Sequence, residues 1–327
     1  MSLAANIGMV VVGLAALIWG ADRFVIGAGA IARNLGVPTL LIGLTIVGIA
    51  TSAPEILVSI MAALKGQPDL AIGNAVGSNI ANIALVLGAT AILKPIAVRS
   101  STLQQEMPAL LAVTLLTVAL VLDAQLSRTD GLVMLIALVV VMYWIVRIGF
   151  RSDADDPIEA EYDAEIPKDM KMRVAVGWFM LGLVVLLIGA ELLVRGATAI
   201  AISYGVSDLV IGVTLVAIGT SLPELAVSLI SATKGEQGLA IGNIIGSNMF
   251  NLLAVIGCAI VIQPTGVAPE VLSLHFFVMI ALTLVLFAMA YNYSGAGRIN
   301  QIEGAALLIA FFSYHVYVLA RSFGHVA

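Results

Sequence analysis

Long apolar runs alternate with short breaks along almost the whole chain. Ten runs stand out, at roughly 4–33, 38–64, 69–93, 104–122, 130–149, 174–202, 207–232, 238–262, 271–290 and 300–320. A helix needs about 20 mostly apolar residues to cross a bilayer core, and each run is near or above that length. The breaks ("NLGVP", "KGQPD", "KPIAVRS", "AQLSRTD", "SYGVSD", "KGEQG", "QPTGVAP", "YNYSGAGR") are rich in turn formers. One long polar segment interrupts the pattern, "RSDADDPIEAEYDAEIPKDMKMR" at 151–173. It is acidic with basic ends and too short for a domain. It reads as an exposed linker between 1–150 and 174–327, with a regulatory acidic patch as the alternative. The predicted fold class is an all-α polytopic membrane protein with ten transmembrane helices.

Composition points the same way. Hydrophobic residues make up 61% of the chain and charged residues 11%, against about 25% charged in a soluble domain. So few charges cannot cover a water-exposed surface. The N-terminal run has no basic leader and outlasts a signal-peptide core, so it reads as a retained first span. The single cysteine, Cys258, excludes a disulfide framework within the chain and any Cys-rich metal site. It reads as a small buried side chain. The bilayer is the expected partner; nothing suggests nucleic acid or an obligate protein partner.

The two halves are related in sequence. Shifted by 169 residues, Gly36 to Pro95 needs no gap. "GVPTLLIGLTIVGIATSAPE" lies over "GVSDLVIGVTLVAIGTSLPE", and "KGQPDLAIGNAVGSNIANIALVLG" over "KGEQGLAIGNIIGSNMFNLLAVIG". About half of the aligned positions are identical, and Asp22 lies over Glu191. Chance does not hold register that long. Five spans per half is an odd number, so the second half enters from the opposite side. The expected architecture is two inverted five-helix repeats, with a transport site between them near the midplane. The repeated motifs fall at 43–88 and 212–257.

Lys and Arg suggest the orientation. With the N-terminus outside, Arg33, Lys94, Arg99, Arg147, Arg151, Lys168, Lys171, Arg173, Lys234 and Arg298 face the cytoplasm, while the outer side holds Lys65, Arg128 and Arg321. Both termini are then outside and the linker is cytoplasmic. The expected location is a prokaryotic inner (plasma) membrane.

Two stretches carry the candidate chemistry, "GIATSAPEILVSIM" (48–61) and "AIGTSLPELAVSLI" (217–230). Each puts a proline and a carboxylate inside an apolar run. Pro54 and Pro223 have no N–H, so the carbonyls of Ala50 and Gly219 lose a helical partner. Such carbonyls are tolerated at membrane depth only where they line a cavity or bind something. Thr51 and Ser52 share a helix face with Glu55, as Thr220 and Ser221 do with Glu224. In the next run of each half, Asn74, Ser78 and Asn82 form an i, i+4 ladder, matched by Asn243, Ser247 and Asn251. All these groups offer oxygen, the ligand set of a hard cation such as Ca2+. Two carboxylates would neutralise one Ca2+. Left empty at the midplane they are expensive, so the site should always hold Ca2+, Na+ or protons. A site that must be filled before it reorients is the core of an exchanger.

Other features have plainer readings. The small-xxx-small pairs Gly73/Gly77 and Gly242/Gly246 read as close helix packing, alongside exposed backbone at the site. Asp22 and Glu191 read as partners of Arg23, Arg195 or water near a helix end, with ion binding as the alternative. His275, His315 and His325 have no partners at ligand spacing. With no histidine or nucleophilic pair near the two glutamates, the chain does not read as an enzyme.

"GIATSAPE" and "AIGTSLPE", each followed by "GNxxGSNxxN", resemble the two α-repeats of the Ca2+:cation antiporter superfamily, most closely its prokaryotic sodium/calcium exchangers. The resemblance covers nearly the whole chain. It implies ten helices in an inverted repeat, with ion sites between the second, third, seventh and eighth spans. The implied ligands are Thr51, Ser52, Glu55, Thr220, Ser221 and Glu224, with Ser78, Ser247 and the carbonyls of Gly48 and Ala217. In that family they serve Na+ and Ca2+ in overlapping sites, and the first and sixth spans slide past the rest. No cofactor is implied beyond the transported ions.

The chain departs from some relatives in one respect. Asn251 stands where they carry an aspartate linked to K+ co-transport, and Asn82 is also neutral. Nor do "GNAVGSN" and "GNIIGSN" contain the glutamate typical of the proton/calcium branch. Na+/Ca2+ exchange is therefore the first expectation and H+/Ca2+ exchange the second. A cation channel is a third, which acids buried between inverted halves fit less well.

Overall fold

The computed structural model describes residues 2–37, 39–98, 101–149, 170–204, 217–269, 271–290 and 297–324. In chain order its helices are α1 (Leu3–Leu35), α2 (Thr39–Ile42), α3 (Gly48–Thr51), α4 (Ala53–Leu64), α5 (Pro68–Ala81), α6 (Gly88–Leu93), α7 (Ser101–Val121), α8 (Arg128–Gly149), α9 (Met172–Ser203), α10 (Ala217–Thr220), α11 (Leu222–Thr233), α12 (Gln237–Phe250), α13 (Ile256–Ile262), α14 (Phe277–Ala290) and α15 (Gln301–Gly324). π-helical segments at Gly43–Val47, Asn82–Leu87, Asn251–Val255 and Val271–Phe276 join neighbouring helices into longer rods. Seven described helices are long and apolar enough to cross a membrane, and eight if the bent pair Thr39–Thr51 and Ala53–Leu64 counts as one. The predicted runs at 104–122 and 207–232 correspond to shorter apolar helices, Glu106–Val121 and Leu222–Thr233. The start of the second of these, and nearly all of the acidic linker, lie outside the described residues.

Local chemistry sets the ends. Ser2 Oγ accepts from the Ala5 amide at 3.3 Å and caps α1, and Gly36 ends it at φ 65°. Gly66 and Gly235 follow Lys65 and Lys234 at φ 74° and 83°, a conformation that favours glycine. These two glycines occupy the same place in the two copies of the repeated sequence.

The prolines act differently from the sequence reading. They do not kink a helix from inside; each is the second residue of a new one. Ser52 (φ −81°, ψ 2°) and Ser221 (φ −89°, ψ 4°) break the helix, and α4 and α11 start immediately after them. At that position a proline costs little, because its missing N–H would have had no helical partner. The rods on either side of Ser52 bend by 42°. Glu55 and Glu224 thus fall in the first turn of a helix that begins within the protein, where the helix dipole favours a carboxylate.

Two rods form the centre. In the rod Pro68–Leu93, 72% of the most apolar window is buried, and in Gln237–Ile262 89%; the other five candidate spans bury 17–28%. The peripheral helices thus carry the lipid-facing surface. Around the centre, glycines bring backbones into contact. A Cβ on Gly242 would lie 2.5 Å from the Leu40 carbonyl oxygen, and one on Gly246 2.3 Å from that of Leu44. The predicted packing role therefore holds for this pair. For Gly73 and Gly77 the facing residues, by the 169-residue shift, fall in 205–216, outside the described residues.

α1 and α9 run antiparallel along a second glycine seam. Hypothetical Cβ atoms on Gly13, Gly20 and Gly27 would lie 2.6, 2.5 and 2.4 Å from the amide nitrogens of Leu193, Leu186 and Phe179. Glycine every seventh residue keeps one helix face bare, so the backbones touch. Short antiparallel ribbons tie the loops: β1 (Ile96–Val98) pairs with β4 (Gly297–Ile299), and β2 (Gln125–Leu126) with β3 (Thr265–Gly266).

Candidate functional site

Burial makes polar groups conspicuous here. Thr51, Ser52, Glu55, Ser78, Asn82, Ser221, Glu224, Ser247 and Asn251 are all at most 3% exposed. They come from the broken helices α3–α4 and α10–α11 and from the central rods, whose apolar flanks exclude water.

Hydrogen bonds join part of the set. Thr51 Oγ1 donates to Asn243 Oδ1 at 3.0 Å and lies 3.3 Å from Ser247 Oγ. Ser247 Oγ and Ser52 Oγ both donate to Glu224 Oε1, at 3.4 and 3.5 Å. Asn243 Nδ2 donates to the Glu224 carbonyl at 3.3 Å and to Ser228 Oγ at 3.1 Å. The break before Glu55 is thereby fastened to Glu224 and to α12. The Gly48 carbonyl accepts from the Ser52 amide at 3.0 Å and lies 3.5 Å from Thr51 Oγ1, which places it at the same break.

Other atoms remain open. Both carboxylate oxygens of Glu55, Oε2 of Glu224 and Oγ of Ser221 are buried without a hydrogen bond of ordinary geometry among the described residues. Glu55 is nevertheless close enough to Glu224 and to the Thr220 hydroxyl for electrostatic interaction. Buried acceptors of this kind are rare in folded proteins, and each calls for an occupant. Two adjacent carboxylates with open lone pairs, with hydroxyls around them, could hold a hard cation. Among the described residues no three His, Cys, Asp or Glu side chains gather into a permanent metal centre. Two acids plus neutral oxygens suit an ion that is bound and released.

The predicted asparagines form a neighbouring layer. Asn82 Nδ2 donates to Asn248 Oδ1 at 3.1 Å, and Asn251 Nδ2 to Asn79 Oδ1 at 3.1 Å. Asn79 and Asn248 were not singled out from the sequence, although the duplicated "GSN" three residues ahead of each predicted asparagine was a usable signal. Asn82 and Asn251 also open the two central π-helical segments, irregularities that often mark functional sites. Ser78 is buried on α5. Asn74 donates to Ser59 at 3.5 Å, the counterpart of the Asn243–Ser228 bond. Ala217 begins α10, and its side chain lies outside the described residues.

The family model described as sodium/calcium exchanger protein matches residues 5–147 and 174–320, the two stretches that contain these sites. The chain belongs to the sodium/calcium exchanger family. Its membership makes it an integral membrane protein and a cation antiporter. CaxA of Alkalimonas amylolytica, a protein that bears an antiporter name, is 50% identical over 96% of this chain and 98% of its own length. Inner membrane protein YrbG of Escherichia coli (strain K12) is 38% identical over 88% of this chain and 89% of its own. A structure of the sodium-calcium exchanger NCX_Mj soaked with Na+ and Sr2+ superposes with a TM-score of 0.82 at 35% identity, covering 95% of this chain and 98% of that one. The match to an exchanger thus extends to the arrangement of the helices.

Asp22, Glu191 and two of the histidines have ordinary partners. Asp22 pairs with Lys234 at 2.8 Å and Arg23 at 3.5 Å, and Glu191 pairs with Arg195. They do so from the body of α1 and α9, not from the helix ends that the sequence suggested. His275 Nδ1 lies 2.6 Å from the Tyr314 hydroxyl, and His315 Nδ1 2.9 Å from the Phe311 carbonyl. His325 lies outside the described residues.

Proposed function

We propose that the protein exchanges Ca2+ for Na+ across a prokaryotic inner membrane by alternating access. Its ten spans form two inverted five-helix repeats, residues 1–150 and 174–327, with the 151–173 linker cytoplasmic and both termini outside. Glu55 and Glu224 bind the transported cation with Thr51, Ser52, Thr220, Ser221, Ser78 and Ser247. Asn82, Asn251 and the carbonyls of Gly48 and Ala217 supply the remaining oxygens.

One observation carries this reading. Two carboxylates from duplicated motifs meet in a water-excluded centre, and three of their oxygens make no hydrogen bond of ordinary geometry among the described residues. Stranding two charges there would cost several kcal/mol each. A bound Ca2+ cancels both, and two Na+ do the same. Since the empty charged site is disfavoured, reorientation is coupled to occupancy, which makes the flux an exchange. The Na+/Ca2+ pairing is supported by membership of the sodium/calcium exchanger family and by the likeness to the sodium-calcium exchanger NCX_Mj.

A second reading is H+/Ca2+ exchange, because two adjacent buried acids also suit proton loading. Uptake of 45Ca2+ into vesicles preloaded with Na+, with K+ or with a pH gradient separates the two. Na+-driven uptake is expected, and uptake driven only by the pH gradient would replace the first reading with the second. Unitary currents in place of saturating, counter-ion-dependent flux would mean a channel.

A further inference from the structure

We propose that Asn79 and Asn248 are positioning residues that set the orientation of the site amides. This rests on the reading that Asn82 and Asn251 offer oxygens to the transported cation. An asparagine side chain has an oxygen end and an NH2 end of similar size, and the surrounding hydrogen bonds decide which faces where. A cation tolerates only the oxygen. Asn82 commits its Nδ2 to Asn248 Oδ1, and Asn251 commits its Nδ2 to Asn79 Oδ1. The Oδ1 atoms of both Asn82 and Asn251 are left buried with no hydrogen-bond partner among the described residues. Asn79 is itself fixed, because its Nδ2 donates to the Asn248 carbonyl at 3.2 Å. The two clasps are images of each other: a shift by 169 residues turns Asn79 into Asn248 and Asn82 into Asn251. Each repeat therefore orients the other's amide, and both open oxygens depend on the halves being docked.

The test compares Asn248→Ala with Asn248→Asp, and Asn79→Ala as a second site should Asn248→Ala fail to insert. Half-saturation for Ca2+ and Na+ and the maximal exchange rate are measured in vesicles. Wild-type exchange in the same vesicles checks the proposed function separately. Alanine removes the acceptor and frees the Asn82 amide to turn its NH2 toward the cation. The Ca2+ half-saturation should rise tenfold or more, and the Na+ value less, because the divalent ion suffers more from a misdirected dipole. Aspartate keeps an acceptor oxygen for Asn82 and should recover most of the loss. A fall in maximal rate with both half-saturations unchanged, or an Asp variant as impaired in Ca2+ half-saturation as Ala, would overturn the proposal.

A separate observation carries a second inference. Asp22 of α1 pairs with Lys234, just beyond α11, at 2.8 Å, and both side chains are partly buried. Under the same shift their images are Glu191 and Lys65. That image pair is not made: Glu191 binds Arg195 of its own helix, with both side chains more than half exposed, and Lys65 is exposed. Matched sequences thus adopt unmatched pairings. We infer that Asp22–Lys234 and Glu191–Lys65 are alternative latches, one closed in each access state. If the repeats exchange conformations during transport, one bond breaks as the other forms.

Cysteine pairs test this in a Cys258→Ser background, with a short bis-methanethiosulfonate reagent that joins two thiols through reducible disulfides. The Asp22→Cys/Lys234→Cys and Lys65→Cys/Glu191→Cys proteins should both cross-link. Changing from Na+ alone to Ca2+ alone should move the two yields in opposite directions, and each cross-link should halt exchange until reduced. Cross-linking of the first pair but never of the second, or unaltered exchange after both cross-links, would overturn the latch while leaving the proposed exchange itself intact.

Discussion

Thr51 donates its hydroxyl hydrogen to Asn243 at 3.0 Å, and Asn243 in turn holds the backbone carbonyl of Glu224 at 3.3 Å. The break in one repeat is thereby tied to the backbone of the glutamate in the other. Thr51→Val keeps the shape and removes the donor. One net hydrogen bond of about 0.5–1.5 kcal/mol is lost, and a proposed ligand oxygen with it, so Ca2+ half-saturation should rise by at least about threefold to tenfold. Asn243→Ala removes the anchor of Glu224 as well and should do more. Initial rates of Ca2+ uptake across a range of external Ca2+ provide the check.

Gly246 predicts a packing cost. A methyl group on Gly246 would press on the Leu44 carbonyl. Gly246→Ala should destabilise the protein by about 1–3 kcal/mol through overpacking. Thermal unfolding in detergent measures the loss, and an unchanged midpoint would contradict the packing account.

The broken helices were legible in the sequence because their signals are local. Thr-Ser-x-Pro-Glu announces a break, and its duplication announces a partner. What was misjudged was the proline's place, which depends on where the next helix starts. The Asp22–Lys234 pair joins residues more than two hundred positions apart, and no periodicity reveals that. The glycine seam between α1 and α9 was visible as a heptad of glycines, but only the fold shows which helix it faces. Asn79 and Asn248 escaped because their bonds run to each other's repeat. Packing between the halves, which sequence pattern does not encode residue by residue, decides all of these.

Potassium should be dispensable. Asn82 and Asn251 are neutral and each leaves only an amide oxygen open, so no extra charge demands an additional monovalent ion. Exchange should proceed at full rate in K+-free medium; an absolute K+ requirement would contradict this.

The proposed orientation is tested by impermeant thiol labelling of a cysteine placed at residue 160, in the Cys258→Ser background. Intact cells should protect it, and inverted vesicles should expose it. Labelling from outside would reverse the topology.

The two glutamates are the centre of the account. Gln keeps the shape and one oxygen of Glu but removes the charge. A site with one remaining carboxylate leaves bound Ca2+ with a net positive charge in a water-excluded centre, at a cost of several kcal/mol. Each 1.4 kcal/mol is about tenfold in affinity, so Glu55→Gln and Glu224→Gln should each lower Ca2+ exchange by about a hundredfold or more. The most direct measurement is Na+-driven 45Ca2+ uptake by wild type and Glu224→Gln, reconstituted at equal density in the same lipid. The account predicts that the variant inserts and folds but carries no measurable Ca2+; uptake equal to wild type would remove the carboxylate pair from the mechanism.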